Sequence, residues 1–98
     1  MSIIKTPLAD EDLKDIYRYS LESFGEEQAE KYYDGLEEKF LAILNKTAHS
    51  TDWSDARPGM RRVNYESHAI FYRRDTDDDV IIVRVLHQQL DLFRHLGG

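Results

Sequence analysis

Two apolar runs separated by a short acidic loop constrain this chain more than any other feature. His68-Ala69-Ile70-Phe71-Tyr72-Arg73 comes first, and Val80-Ile81-Ile82-Val83-Arg84-Val85-Leu86 comes after residues 74–79. Both runs are rich in β-branched and aromatic residues, and so short a loop predicts an antiparallel β-hairpin. The second run is apolar nearly throughout, which predicts a central strand covered on both faces over part of its length. The ends of the hairpin strands carry Arg73, Arg84 and His87. A further strand is expected at 61–65, turned into the hairpin by Glu66-Ser67.

The first half of the chain has a different period. Ile3-Ile4-Lys5 is a short strand candidate. Thr6 followed by Pro7 reads as an N-cap and first helical residue, because proline has no amide hydrogen to lose there. Leu13, Ile16, Tyr17, Ser20, Leu21 and Phe24 then recur at helical spacing and form one apolar stripe that ends before Gly25. Gly25 can adopt the left-handed conformation that closes a helix. Ala29, Tyr32, Tyr33, Leu36, Phe40, Ile43 and Leu44 give a second stripe. So short a joint makes the two helices an antiparallel αα-hairpin. Residues 48–58 read as loop. The expected architecture is α+β, ordered β-α-α-β-β-β, with an antiparallel sheet covered on one face by the helix pair. Four large apolar residues in 90–96 predict a short helix or turn docked on the body.

Ninety-eight residues are expected to make one domain, 1–98, with one core. No apolar run approaches the ~18 residues of a membrane span. The N-terminus lacks the apolar region of a signal peptide. The chain has no cysteine, which removes disulfides, thiol nucleophiles and thiolate zinc sites and fits a cytoplasmic protein. Net charge is −6, but residues 57–74 hold five arginines against Glu66 alone. The chain as a whole repels a nucleic-acid backbone, while one edge can bind an acidic partner. Every cation after Lys46 is arginine, which suits bidentate pairing with carboxylate or phosphate.

Candidate chemistry narrows from there. The four histidines form no metal-binding spacing, and Asp75, Asp77, Asp78 and Asp79 lack the glycine and bidentate glutamate of a calcium loop. Neither metal nor cofactor is expected. Ser67 and His68 are neighbours in sequence, so a strand would point them to opposite faces, a poor arrangement for a nucleophile and its base. Ser67 is read as a turn residue, His68 as a packing residue, and no catalytic residue is assigned. Arg61, Arg73 and Arg84 lie on three strands expected to be neighbours, with Arg62 and Arg74 beside them and His87 at the end of the last. Such a set could stabilise a pentacoordinate phosphate and move protons. It could equally pair with the eleven carboxylates of the first half. Tyr19 falls off its helix stripe, and an exposed tyrosine hints at an interface.

Several segments are similar to one known family. Asp12-Leu13-x-Asp15-Ile16-x-x-Tyr19-Ser20 and Phe24-Gly25-x-x-Gln28-Ala29-x-x-Tyr32 resemble the first helix and the helix–helix joint of ParE toxins, within the ParE/RelE toxin superfamily. Arg57-x-Gly59-x-Arg61-Arg62 looks like the family's approach to the sheet. Ser67-His68-Ala69-Ile70-Phe71-Tyr72-Arg73 and Arg84-Val85-Leu86-His87-Gln88-x-Leu90-Asp91 are close to its closing motifs. Phe24 stands where tryptophan is usual, and Glu66 where glycine usually precedes Ser-His. The resemblance covers roughly residues 3 to 96. It implies the β-α-α-β-β-β fold and a bacterial toxin of a type II toxin–antitoxin system. It further implies a ParD-like antitoxin that folds along the toxin, DNA gyrase as target, and contact with operator DNA only through the antitoxin. The target-contact candidates are Arg61, Arg62, Arg73, Arg84 and His87. The antitoxin-groove candidates are Tyr17, Tyr19, Leu21, Tyr32 and Tyr33. The alternatives are a ribosome-dependent mRNA endonuclease of the RelE type, and an inert relative that only binds its antitoxin. The acidic net charge favours the gyrase reading, since an enzyme docking on ribosomal RNA is expected to be strongly basic.

Overall fold

The computed structural model describes residues 1–89. Strand β1 (Ile3–Lys5) leads directly into helix α1 (Pro7–Phe24), and α2 (Glu26–Leu44) begins after a single residue. Four strands complete the order: β2 (Thr51–Asp52), β3 (Arg61–Tyr65), β4 (His68–Arg74) and β5 (Val80–His87). The α+β order expected from the sequence is present, with the two-residue β2 added inside the segment read as loop. The tail expected to dock at 90–96 lies outside the described residues.

The sheet runs β1-β5-β4-β3-β2. Neighbours β2 through β5 pair antiparallel, as the meander requires, whereas β1 lies parallel to β5 through Ile3↔Val80, Ile4↔Ile81 and Lys5↔Ile82. β5 is therefore interior, as its apolar sequence predicts. Pairing of Phe71 with Arg84 and of Tyr72 with Ile82 leaves Val83 as an extra residue on β5, a bulge that changes the direction of the side chains beyond it.

Local chemistry explains the helix boundaries. The Thr6 hydroxyl accepts the Ala9 amide at 3.1 Å and caps α1, with Pro7 at its first position. Gly25 closes α1 at φ +91°, a value that a side chain would strain, and its amide reaches the Leu21 carbonyl. Glu66 takes φ +51° at the first position of the two-residue turn between β3 and β4. It thus holds the left-handed conformation that the family's usual glycine adopts without strain.

Leu13, Ile16, Leu36, Phe40 and Ile43 from the helices pack on Val63, Ile70, Tyr72, Val80, Ile82 and Val85 of the sheet. Burying each such side chain contributes about 1.5–3 kcal/mol. The opposite face is also apolar. Met60, Ala69, Phe71, Val83 and Leu86 form a second cluster against which Trp53, Ala56 and Ile81 pack. One part of the predicted helix stripe stays uncovered: Leu21 is 40% exposed and Phe24 65%.

Gly35 lets α2 approach β3. A Cβ built there would lie 1.9 Å from the Tyr65 hydroxyl oxygen. We predict that Gly35→Ala lowers stability by about 1–3 kcal/mol, the usual cost of overpacking. In a Tyr65→Ala background the same change becomes neutral or stabilising by up to ~1 kcal/mol, because alanine is the better helix former. Urea unfolding of the four proteins checks both signs.

Candidate functional site

Helix α1 crosses the sheet beside the part of β5 that β1 leaves unpaired, and the contacts that hold it there define the surface on either side. The Thr6 amide donates to the Ile82 carbonyl at 3.1 Å, and the Thr6 hydroxyl donates to the Val83 carbonyl at 2.8 Å. Beyond them Asp12 takes over. Its carboxylate accepts from Arg84 Nε at 2.8 Å, Arg84 Nη2 at 2.9 Å and the Val85 amide at 3.0 Å. The Arg84 and Asp12 side chains retain only 19% and 13% of their exposure. Donating to the Asp12 carboxylate raises the Arg84 pKa against the opposing effect of burial.

Two clefts flank the C-terminal half of α1. One, of about 770 Å³, lies between α1, α2 and the β3–β4 turn, walled by Ile16, Tyr19 and Phe24 and floored by Tyr32, His68 and His87. The other, of about 610 Å³, is lined by Leu13, Tyr17, Leu21 and Tyr33 with Lys14 and Arg18 at its rim. Tyr17 meets Tyr33 edge-on at 6.0 Å, and Tyr19 meets Phe24 edge-on at 6.3 Å. The five groove candidates thus divide: Tyr17, Leu21 and Tyr33 in one cleft, Tyr19 and Tyr32 in the other.

His68 is the polar centre of the larger cleft. It sits opposite His87 across β4 and β5, with ring centroids 5.3 Å apart, and also packs edge-on to Tyr32 at 5.6 Å. Nδ1 of His68 shares a hydrogen bond with the Tyr32 hydroxyl, while Ser67 Oγ is 3.5 Å away. His68 packs, as its sequence context suggested, and the Tyr32 link is what sequence reasoning missed. Burial, then the neighbouring His87, lowers the His68 pKa to about 4. Burial likewise raises the Tyr32 pKa. Both groups are therefore neutral at pH 7, and the pair exchanges one hydrogen bond without net charge.

The arginines do not converge. Arg84 turns toward α1 and Asp12. Arg61 donates to the Ser50 hydroxyl at 2.9 Å on the β2 side of the sheet. Arg74 reaches the Ile43 carbonyl at the end of α2 and the Asp78 side chain. Arg62 lies on the face opposite the helices, with its guanidinium 5.2 Å from the Trp53 ring and 5.8 Å from that of Phe71. Burial holds its pKa below the usual arginine value. Arg73 points to that same face, since Phe71 two residues earlier does so and its cross-strand partner Ile81 belongs to the same cluster. The three-strand arginine set expected from the sequence is therefore three separate environments, because strand alternation and the Val83 bulge send its members in different directions. Of the sheet arginines 61, 62, 73, 74 and 84, Arg84 is the one that pairs with a helix carboxylate among the described residues. A signal for Asp12 existed: an arginine inside an otherwise apolar strand needs a carboxylate partner.

At the β4–β5 loop, Asp75, Asp77 and Asp79 bring carboxylate oxygens within 4.8 Å of one another. Their oxygens serve the turn: Asp75 accepts the amides of Asp77 and Asp79, and Asp79 accepts that of Ser2. No helix among the described residues is long and apolar enough to cross a membrane.

The His68 titration is directly measurable. Its imidazole should titrate near pH 4 by NMR, against 6.5 for an ordinary histidine. Because the folded pKa lies below the unfolded one, the contribution to stability is complete above pH 6.5 and is lost as pH falls toward 4. A titration midpoint near 6.5 would contradict the half-buried packing of His68 against Tyr32 and His87.

Comparison with known proteins identifies the lineage. The family model described as "ParE toxin of type II toxin-antitoxin system, parDE" matches residues 3–92. The chain is 31% identical over 91 residues to Toxin ParE1 of Mycobacterium tuberculosis, covering 93% of each. It is 37% identical over 86 residues to Toxin ParE1 of Caulobacter vibrioides, covering 88% of each. To Toxin ParE of Escherichia coli it is 28% identical over 94 residues, or 96% of this chain and 91% of that one. A solved structure titled "Chromosomal ParDE TA system from P. aeruginosa" shares the fold, with a TM-score of 0.70 at 23% identity over 89% of this chain and 95% of that one. With a family model spanning nearly all of it and relatives above 30% identity, this chain belongs to the ParE toxin family of type II toxin–antitoxin systems.

Proposed function

We propose that this protein is held by a ParD-like antitoxin and, when released, poisons DNA gyrase by binding it rather than by cutting RNA. The observation that carries binding over cleavage is the dispersal of the arginines. Cleaving RNA requires a cation and proton-transferring groups around one phosphate. His68 and His87 share a cleft whose described lining holds one cation, Lys31, beside the carboxylates of Asp15 and Glu66 and no arginine to fork a phosphate, and Arg84, the nearest in sequence, is committed to Asp12. Target contact is assigned to Arg61, Arg62, Arg73 and His87, with Arg84 acting through the fold.

The two clefts supply the antitoxin reading. Each offers aromatic or aliphatic walls beside α1, and Tyr19, at 65% exposure, and Leu21 stand ready to be covered. A disordered antitoxin segment that orders across them would offset its entropy cost by burying these side chains. The net charge of −6 supports reaching operator DNA only through that antitoxin.

Purified protein tested in parallel on gyrase supercoiling and on ribosomes programmed with mRNA discriminates the readings. Micromolar protein should inhibit supercoiling, and a molar excess of antitoxin should restore it. Unimpaired supercoiling, together with mRNA cleavage lost in His87→Ala, would overturn the proposal.

A further inference from the structure

The charge of this molecule is sorted by element. Helices α1 and α2 carry eleven carboxylates against four cations, while β3, β4 and their turn carry four arginines against Glu66 alone. On the face away from the helices, Arg62 is held as a fixed, planar cation. Its guanidinium lies over Trp53 and Phe71, Nε donates to Asn64 Oδ1 at 2.7 Å, and Nη2 donates to Gln88 Oε1 at 3.3 Å. Both acceptors are neutral amides. Among the described residues no carboxylate lies within ion-pair distance of Arg62. Arg73, exposed on the same face, makes no hydrogen bond or ion pair among the described residues. A partly desolvated cation without a counter-charge is costly to keep, and one already ordered binds an oxyanion with little further loss of freedom.

We infer that the sheet face around Arg62, Arg73 and Trp53 is the docking surface for an acidic protein partner, whose Asp or Glu side chains pair with the two guanidinium groups. This rests on the proposed gyrase-binding function and names the part of the molecule that meets the target. Of the proposed contact residues this face holds Arg62 and Arg73, while Arg61 and His87 lie outside it. A carboxylate fits better than a nucleic-acid backbone. Two guanidinium groups on a chain of net −6 are few for a polyanion, whose binding grows with the number of phosphates neutralised. A rigid arginine edged by tryptophan is instead the kind of residue that dominates protein interfaces.

The test measures affinity of the full chain for purified gyrase and for the antitoxin, using Arg62→Gln, Arg62→Lys, Arg62→Gln with Arg73→Gln, and Lys39→Gln as a charge-matched change on α2. Arg62→Gln should weaken gyrase binding tenfold or more, and the double variant further. Arg62→Lys should restore less than half of that loss on a logarithmic scale, because lysine keeps the charge without the planar fork. Lys39→Gln should change gyrase binding less than twofold. Antitoxin affinity should stay within threefold throughout, which also reports that each variant is folded. Wild-type protein with no affinity for gyrase would overturn the proposed function and this inference with it. Wild-type binding that survives the double substitution would overturn this inference alone. So would a double variant that keeps gyrase but loses affinity for single-stranded RNA.

Discussion

The Asp12 carboxylate accepts three hydrogen bonds from β5, two from the Arg84 guanidinium and one from the Val85 amide. β1 is only three residues long and pairs with β5 no further than Ile82, so the next part of that edge has no strand partner. Thr6 covers the first open carbonyls, and Asp12 covers the amide beyond them. An unpaired strand edge costs stability and invites association with other chains. Here α1 closes it with side chains and is itself fixed in place by doing so. Both clefts beside α1 take their shape from that attachment.

Much of this fold is legible in the sequence, for physical reasons that attach to particular residues. Thr6-Pro7 and Gly25 mark helix ends because their backbone properties admit few alternatives, and the apolar runs at 68–73 and 80–86 alternate or persist as strands must. The parallel partner of β5 was not legible, because which strand Ile3-Ile4-Lys5 joins depends on contacts nearly eighty residues away in sequence. The site was less legible than the fold. Strand membership put Arg61, Arg73 and Arg84 close together along the sheet, but facing is decided residue by residue, and the Val83 bulge shifts it once more. His68 and His87 come together only through the β4–β5 register. Tyr32 meets them because α2 runs back across the β3–β4 turn.

The result is a protein with two kinds of surface. Around α1 it offers aromatic and aliphatic clefts set in an acidic surround. On the far side of the sheet it offers ordered arginine with an aromatic rim. Membership of the ParE family gives these surfaces a shared context, a toxin of a toxin–antitoxin system, and under the proposed function one surface meets the antitoxin and the other the target. Separate surfaces of different chemistry allow each contact to be altered without the other. The neutral Tyr32–His68 pair fits this division, since it stiffens the floor of the larger cleft without adding charge to it.

If Asp12 couples α1 to β5, a double-mutant cycle on Asp12 and Arg84, read by urea unfolding, will show it. Asp12→Ala should cost roughly 3 kcal/mol, as loss of one partner of a largely buried pair usually does. Arg84→Ala should cost less, because Asp12 keeps its bond to the Val85 amide, and the two should couple by more than about 1 kcal/mol. Single changes that each shift stability by less than about 0.5 kcal/mol, as a surface ion pair would, and that simply add, would mean that Asp12 does not hold α1 on the sheet.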